Sequence, residues 1–410
     1  MQPQLQWKRN AMLFLGSQTI SLFGSSLVQY AIMWHVMLDS KSGMAMTLYI
    51  ICGFLPTFFL SPFAGVWADR YNRKTLIMVS DSLIALSTLV LAILFLTGHG
   101  SLWLFFVVAA IRALGTAVQT PAVGAFIPQW VPQDKLMRVN GAYATIQSVV
   151  MLASPMLGAA LLSVTSIEVI FFIDVVTAAI AVAILLLFLR VPAHEKASTE
   201  KTISYFGDMR AGITYIKNNQ YIKTFFMFSA AFMVLIAPAS FLTPLQVARS
   251  FGDDYLRLAA IEIVFSIGMM IGGALMASWG GFPNKTKTMV LAYAIVSVCT
   301  LALGIMPLFW LYLLAMGIFG IAIPIYNTPA MVMLQQKIDA DYLGRVFGVF
   351  SMISSSMMPM GMLVFGPLAD IVAIEWLLIG TGLCLLVQTV LMLYNRVLIE
   401  AGEPEVDAVE

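Results

Sequence analysis

The sequence predicts an all-α polytopic membrane protein, with twelve membrane-spanning helices in two pseudo-symmetric lobes of six. Three observations carry this. Of 410 residues, 60% are hydrophobic and only 10% charged, whereas a soluble domain keeps roughly 25% charged residues to cover its surface. The apolar residues come in repeated runs longer than the roughly 18 that cross a hydrocarbon core of about 30 Å. Finally, the cations are sorted to alternate breaks between those runs.

Taken in order, the apolar runs give spans near 11–38, 46–68, 75–97, 101–127, 139–164, 167–190, 221–247, 256–280, 287–306, 308–334, 345–369 and 373–397. The first follows a short polar start containing Trp7, Lys8 and Arg9. It is too long for a signal-peptide core, and no small-residue cleavage site follows it, so it is expected to stay as the first span. If both termini are cytoplasmic, the inner breaks collect Lys8, Arg9, Arg70, Arg73, Lys74, Lys135, Arg138 and the six cations from Arg190 to Lys223. They also collect Lys285, Lys287, Lys337, Arg345 and Arg396, which makes eighteen of the 22 cations. The outer breaks hold only Lys41, Arg249 and Arg257. That asymmetry predicts cytoplasmic termini.

All the breaks are short except one, which divides the chain into an N-terminal lobe at 1–190, a cytoplasmic linker at 191–220 and a C-terminal lobe at 221–398, with an acidic tail at 399–410. Within the linker, Phe206, Met209, Ile213 and Ile216 recur at helical spacing among Asp208, Arg210 and Lys217, the pattern of an amphipathic helix lying on a membrane surface. Six spans on either side of a linker suit a two-lobed transporter.

Several classes are excluded. A net charge of +1 leaves no basic surface for nucleic acid. Cys52, Cys299 and Cys384 are far apart inside apolar runs, and His35, His99 and His194 fall in unrelated places. Neither set has metal-ligand spacing, and no disulfide framework appears. No phosphate-binding Gly-x-x-x-x-Gly-Lys-Ser/Thr loop is present. The chain therefore reads as neither an enzyme nor an ATP-driven pump, and it implies no cofactor.

The strongest local signal is Gly65-Val66-Trp67-Ala68-Asp69-Arg70-Tyr71-Asn72-Arg73-Lys74, at the turn between spans two and three. It resembles the loop signature of the major facilitator superfamily, Gly-x-x-x-Asp-Arg-x-Gly-Arg-Arg/Lys, with Asn72 in place of the second glycine. Asn, like glycine, tolerates a left-handed turn, so the departure from the signature is mild. The resemblance implies that Gly65, Asp69, Arg70, Arg73 and Lys74 form a cytoplasmic gate, with Asp69 facing the start of span eleven near Arg345.

Arg112 lies near the middle of span four, in Arg112-Ala113-Leu114-Gly115. A guanidinium there costs at least about 2.5–3.5 kcal/mol on insertion scales, so it needs a partner or a wet cavity. Proton-coupled exporters of the superfamily carry a similar arginine followed closely by glycine. A structural ion pair is the alternative. Ser154-Pro155-Met156-Leu157-Gly158-Ala159 in span five is similar to the exporters' Gly-Pro-x-x-Gly-Gly, with Ser154 and Ala159 replacing glycines. Here the alternative is ordinary helix bending and packing.

Carboxylates inside the spans are candidates for proton coupling, because each must find a partner, a cavity or a proton. They are Asp81 in span three, Asp174 in span six and Glu262 in span eight, and Arg112 is counted with them as a coupling candidate. Glu262 leads, since Arg257 is the one evident cation near it in its lobe. Gln18, Gln29, Tyr30, Gln119, Gln147, Gln246, Tyr326 and Asn327 are neutral polar groups among Phe and Met, which suits a cavity for a large, mostly apolar ligand.

Trp7-Lys8-Arg9-Asn10 leading into Gly16–Ser21, Gly53-Phe54-Leu55-Pro56, Asp81, and Gly344-Arg345-Val346-Phe347-Gly348 resemble the macrolide-efflux branch of the superfamily. That branch implies a monomer in the bacterial inner membrane, exporting a bulky amphipathic compound in exchange for protons. It also contains siderophore exporters, so an endogenous metabolite such as a siderophore or lysolipid is the alternative cargo.

Overall fold

A computed structural model describes residues 3–189, 213–252, 254–339 and 342–403. Among them the chain is helical, without strands, and twelve helices are long and apolar enough to cross a membrane. The helices are α1 (Pro3–Ser40), α2 (Gly43–Arg70), α3 (Arg73–Leu96), α4 (Leu102–Phe126), α5 (Leu136–Val164) and α6 (Ile167–Ala183), the last continued by a π-helical turn at Ile184–Phe188. Then follow α7 (Gln220–Phe241), α8 (Thr243–Ser250), α9 (Tyr255–Trp279), α10 (Lys285–Ile305), α11 (Phe309–Lys337), α12 (Leu343–Leu368), α13 (Ile374–Tyr394) and the short α14 (Arg396–Ala401). Together α7 and α8 make one span. They separate at Leu242, where Pro238 and Pro244 each withhold a backbone donor. The amphipathic linker helix expected at 206–216 lies mostly outside the described residues.

Two compact units emerge: residues 1–40 with 48–202, and residues 41–47 with 203–410. In the first, α1 packs against α5 and α6, and α3 against α4 and α6. In the second, α9 packs on α11, α10 on α11 and α13, and α7 on α12. Close approach of α9 to α11 depends on missing side chains, since a Cβ on Gly268 would sit 2.3 Å from the Gly317 carbonyl oxygen.

The sequence reading assigns Lys41–Thr47 to the first lobe, yet this stretch groups with the second unit, and the reason is Asp370. Its carboxylate accepts from the backbone N–H of Gly43 (2.6 Å) and Met44 (2.9 Å) and from Ser42 Oγ (2.7 Å). It therefore acts as an N-cap for α2 supplied from elsewhere in the chain. Arg249 donates to Asp370 at 3.0 Å and to the carbonyls of Ala369 and Lys41. Partial burial pushes the Asp370 carboxyl up, but the bonds from Met44, Ser42, Gly43 and Arg249 outweigh it and hold the group below the usual aspartate value.

Candidate functional site: a polar ladder inside the first unit

The first unit contains a stack of polar side chains in an otherwise apolar bundle. In the upper layer, Arg112 Nη1 on α4 donates to Asp174 Oδ2 on α6 at 2.7 Å and to Thr88 Oγ1 on α3 at 2.6 Å. Thr88 in turn donates to Asp174 Oδ2 at 2.9 Å. From α1, the Ser25 hydroxyl donates to Asp174 Oδ1 at 3.1 Å, and the Ser25 carbonyl accepts from Arg112 Nη2 at 2.9 Å. The pair is buried, at 12% exposure for the arginine side chain and 0% for the aspartate. A buried pair persists only when its remaining polar positions are also filled, and four helices fill them here.

The lower layer lies seven residues away on each of two helices. From Thr88 to Asp81 along α3, and from Arg112 to Gln119 along α4, the step is two turns, about 10 Å. Asp81 Oδ1 accepts from Ser21 Oγ at 3.2 Å and from Gln119 Nε2. No cation joins it. Asp81 Oδ2 is buried and finds no partner among the described residues, and the same holds for both amide atoms of the fully buried Gln18. Gln18, Ser21 and Ser25 share one stripe of α1, at i, i+3 and i+7.

Beyond the lower layer the ladder stops at an apolar plug. Phe14, Ile77 and Val123 sit four residues past Gln18, Asp81 and Gln119 on their helices, and all three are buried together with Phe126, Ile127 and Leu185. Phe14 lies 5.2 Å from the Phe126 ring.

Glycines let the ladder close. A Cβ on Gly24 would fall 2.0 Å from Thr177 Oγ1, and one on Gly115 would fall 2.6 Å from Ile84 Cγ1. Gly115, three residues after Arg112, therefore brings α4 down onto α3 beside the ion pair. Gly158 differs, because its Cβ would make ordinary contacts at 3.7–3.8 Å with Leu27 and Trp34. Ser154 is buried with an unpartnered hydroxyl, and Pro155 lies inside α5.

The loop signature acts here on helix ends. Arg73 donates to the carbonyls of Ala68 and Ala125, each at 2.8 Å, and Lys74 donates to Leu189 O at 2.8 Å. These cations thus satisfy carbonyls at the C-terminal ends of α2 and α4 and after the π-turn, where positive charge is favoured. Asn72, at φ −64° and ψ 112°, is the N-cap of α3, accepting from Thr75 N. The glycine position of the signature is taken by a capping residue because the chain enters a helix there. Arg70 is exposed at the end of α2, and Gly65 lies within that helix. The Asp69 side chain lies outside the described residues. Arg345 stands over the Tyr342 ring, 5.6 Å from its centroid.

Sequence-expected residues separate into two groups. Asp81, Arg112, Gln119, Asp174 and Gln18 belong to the ladder or its α1 stripe. Glu262 is half-buried two turns into α9 and makes no hydrogen bond or ion pair among the described residues, while Arg257 turns to the Phe309 ring instead. Gln246 and Tyr326, expected in a cavity, are spent inside the second unit. Gln246 bonds Leu303 O and Tyr312, both at 3.0 Å, and Tyr326 bonds Ser229 at 3.0 Å beneath Phe232 and Tyr293. Gln29, Gln147 and Asn327 are exposed and Tyr30 is half-buried beside Trp34. Sequence reasoning missed Ser21, Ser25 and Thr88. The available signal was spacing: Ser21 and Ser25 lie three and seven residues after Gln18, and Thr88 lies seven after Asp81.

Comparison with known proteins agrees with this architecture. The chain is 28% identical to Macrolide efflux protein A of Streptococcus pyogenes over 394 residues, covering 95% of this chain and 97% of that one. It is 30% identical to Macrolide efflux protein A of Enterococcus faecalis over 323 residues, 78% of this chain and all of that one. Multidrug efflux pump Tap of Mycobacterium tuberculosis is 21% identical, with 88% and 87% coverage. Among solved structures, an inward-facing bacterial homologue of the iron transporter ferroportin superposes with a TM-score of 0.71 at 14% identity, over 94% of this chain and 98% of that one. At that identity the likeness concerns the fold. The model of the Major Facilitator Superfamily matches residues 14–362. A multi-pass chain with twelve candidate spans among its described residues and with this match is a membrane transporter of small molecules and not an enzyme; it belongs to the Major Facilitator Superfamily, as a macrolide-efflux-like member.

Proposed function

We propose that this protein exports a bulky amphipathic compound, macrolide-like in size and polarity, by exchange for protons in an alternating-access cycle. The observation that carries the reading is the likeness to Macrolide efflux protein A along 95% of the chain. The buried ladder supports the proton part. An ion pair and a lone carboxylate in the bundle interior are costly to keep, and a proton-coupled carrier has a use for them. The half-buried carboxyl of Glu262 is a second coupling group on the same reading. Gln29, Tyr30, Gln147 and Asn327 are the polar groups proposed to meet the cargo. Asp69 with Arg70, Arg73, Lys74 and Arg345 is proposed to form the gate on the cytoplasmic side. Eighteen cations on the breaks shared with the termini support an inner-membrane protein with both ends in the cytoplasm.

The test is expression in a host lacking its own efflux pumps, with susceptibility measured across macrolides and other amphipathic drugs. Everted vesicles from the same cells are then energised, and loss of the pH gradient on drug addition is followed with a pH-sensitive dye. Resistance together with drug-dependent proton movement is expected. Resistance that survives collapse of the proton gradient would defeat the antiport, and unchanged susceptibility to every drug would defeat the cargo class.

A further inference from the structure

The two layers of the ladder differ in what they have left to do. In the upper layer every strong position is taken: Asp174 accepts from Arg112, Thr88 and Ser25, and the arginine is neutralised. To protonate Asp174 would strand a buried guanidinium without its counter-charge. The lower layer is incomplete. Among the described residues Asp81 receives two neutral donors on Oδ1, none on Oδ2, and no cation. A bare carboxylate in that setting is expensive, whereas its protonated form is not.

We infer that Asp81 carries the transported proton, on Oδ2, and that Gln119 is the positioning residue that governs its release. This deepens the antiport reading and rests on it. The charged and titratable groups around Asp81 are few. On α6 there is Asp174, already paired with Arg112 of α4, and on α5 there is Tyr143. From α1 it meets Ser21, and from α4 Gln119. Among the described residues of the ladder, Asp81 is the last carboxylate before the plug of Phe14, Ile77, Val123 and Phe126, against which Tyr143 also packs, so a proton leaving toward the Arg73 end must pass that barrier.

Pro121 stands between Gln119 and Val123 inside α4. Its ring nitrogen has no hydrogen to give the Ala117 carbonyl, so the helix is weakest where the amide and the plug residue meet. A bend there shifts Gln119 relative to Val123, so the amide's hold on Asp81 and the seating of the plug change in one motion. With Gln119 donating, the ionised form of Asp81 is favoured; with Gln119 withdrawn, the protonated form is. The step is balanced: the O–H bond on Oδ2 breaks, the proton passes to water on the open side, and the charge left on Asp81 is held by Gln119 and Ser21.

The experiment uses purified full-length protein in liposomes, with a macrolide shown to move protons in the parent. Asp81→Asn should abolish macrolide-driven proton movement and leave macrolide–macrolide exchange within twofold of parent. Asp81→Glu should restore part of the proton movement. Gln119→Leu should keep coupling but move the pH profile of proton release toward higher pH by about one unit, because a donor to the ionised form is lost. A packing defect alone would lower rate and exchange without moving the profile. Full coupling in Asp81→Asn overturns the inference, as does coupling lost only in Glu262→Gln, or a Gln119→Leu profile that stays in place. If the parent moves no protons with any macrolide, the antiport reading itself has failed, a result distinct from all of these.

Discussion

Arg112 and Asp174 meet at 2.7 Å across α4 and α6, with Thr88 bridging them and Ser25 closing the ring from α1. The contact joins residues 62 positions apart and holds four of the six helices in the first unit in one register.

Breaking that pair should cost more than removing it whole. Arg112→Ala leaves a buried carboxylate and Asp174→Ala a buried guanidinium, and each is expected to cost about 3–5 kcal/mol. The double variant Arg112→Met with Asp174→Leu should regain most of the loss. Thermal unfolding in detergent, compared across the single and double variants, checks this. A double variant as unstable as the worse single would show that the pair is held for stability.

Glycines beside the ladder should be unequal. Gly24→Ala places a methyl 2.0 Å from Thr177 Oγ1, whereas Gly158→Ala meets nothing closer than 3.7 Å. The first is expected to lose about 1–3 kcal/mol through overpacking, and the second to stay within about 0.5 kcal/mol of the parent. Melting temperatures of the two variants, measured side by side, decide the matter.

Cations of the loop signature should separate in the same way. Arg73→Ala removes two carbonyl bonds at helix ends and should lower stability by about 1–2 kcal/mol. Arg70→Ala, at an exposed end, should be nearly neutral to folding, so any transport defect it shows belongs to the cycle and not to the fold. Melting curves and transport assays of the pair distinguish these.

The Asp370 clasp should depend on acid. Its carboxyl lies below the usual aspartate value in the folded protein, so its contribution is fully present above the unfolded value of about 3.9 and disappears as pH falls through the lower folded value. Asp370→Ala should therefore destabilise the protein by about 1 kcal/mol at neutral pH, as loss of a helix cap does. The difference from parent should shrink below about pH 4. Melting temperature against pH for both proteins is the measurement.

Much of this could be read in advance, for identifiable reasons. Twelve spans were legible because crossing hydrocarbon demands length and apolarity whatever the tertiary packing, and the structure keeps all twelve. Arg112, Asp81 and Asp174 were legible as residues too costly to hold idle. Their pairing was not, because it depends on which faces of α3, α4 and α6 turn inward, and that is fixed by Gly24 and Gly115 through contacts distant in sequence. Gln246 and Tyr326 look like cavity residues for the same reason: a polar side chain in a span signals a need for a partner, and Leu303, Tyr312 and Ser229 supply it internally.

The seven residues from Lys41 to Thr47 have a practical corollary. Anyone dividing this gene at the linker, to produce the halves from separate messages, would send that short stretch with the wrong partner. Mixing the halves afterwards would require the carboxylate near the end of α12 to find a peptide belonging to the other polypeptide. A better place to open the chain is the connection that leaves those seven residues where Asp370 already holds them.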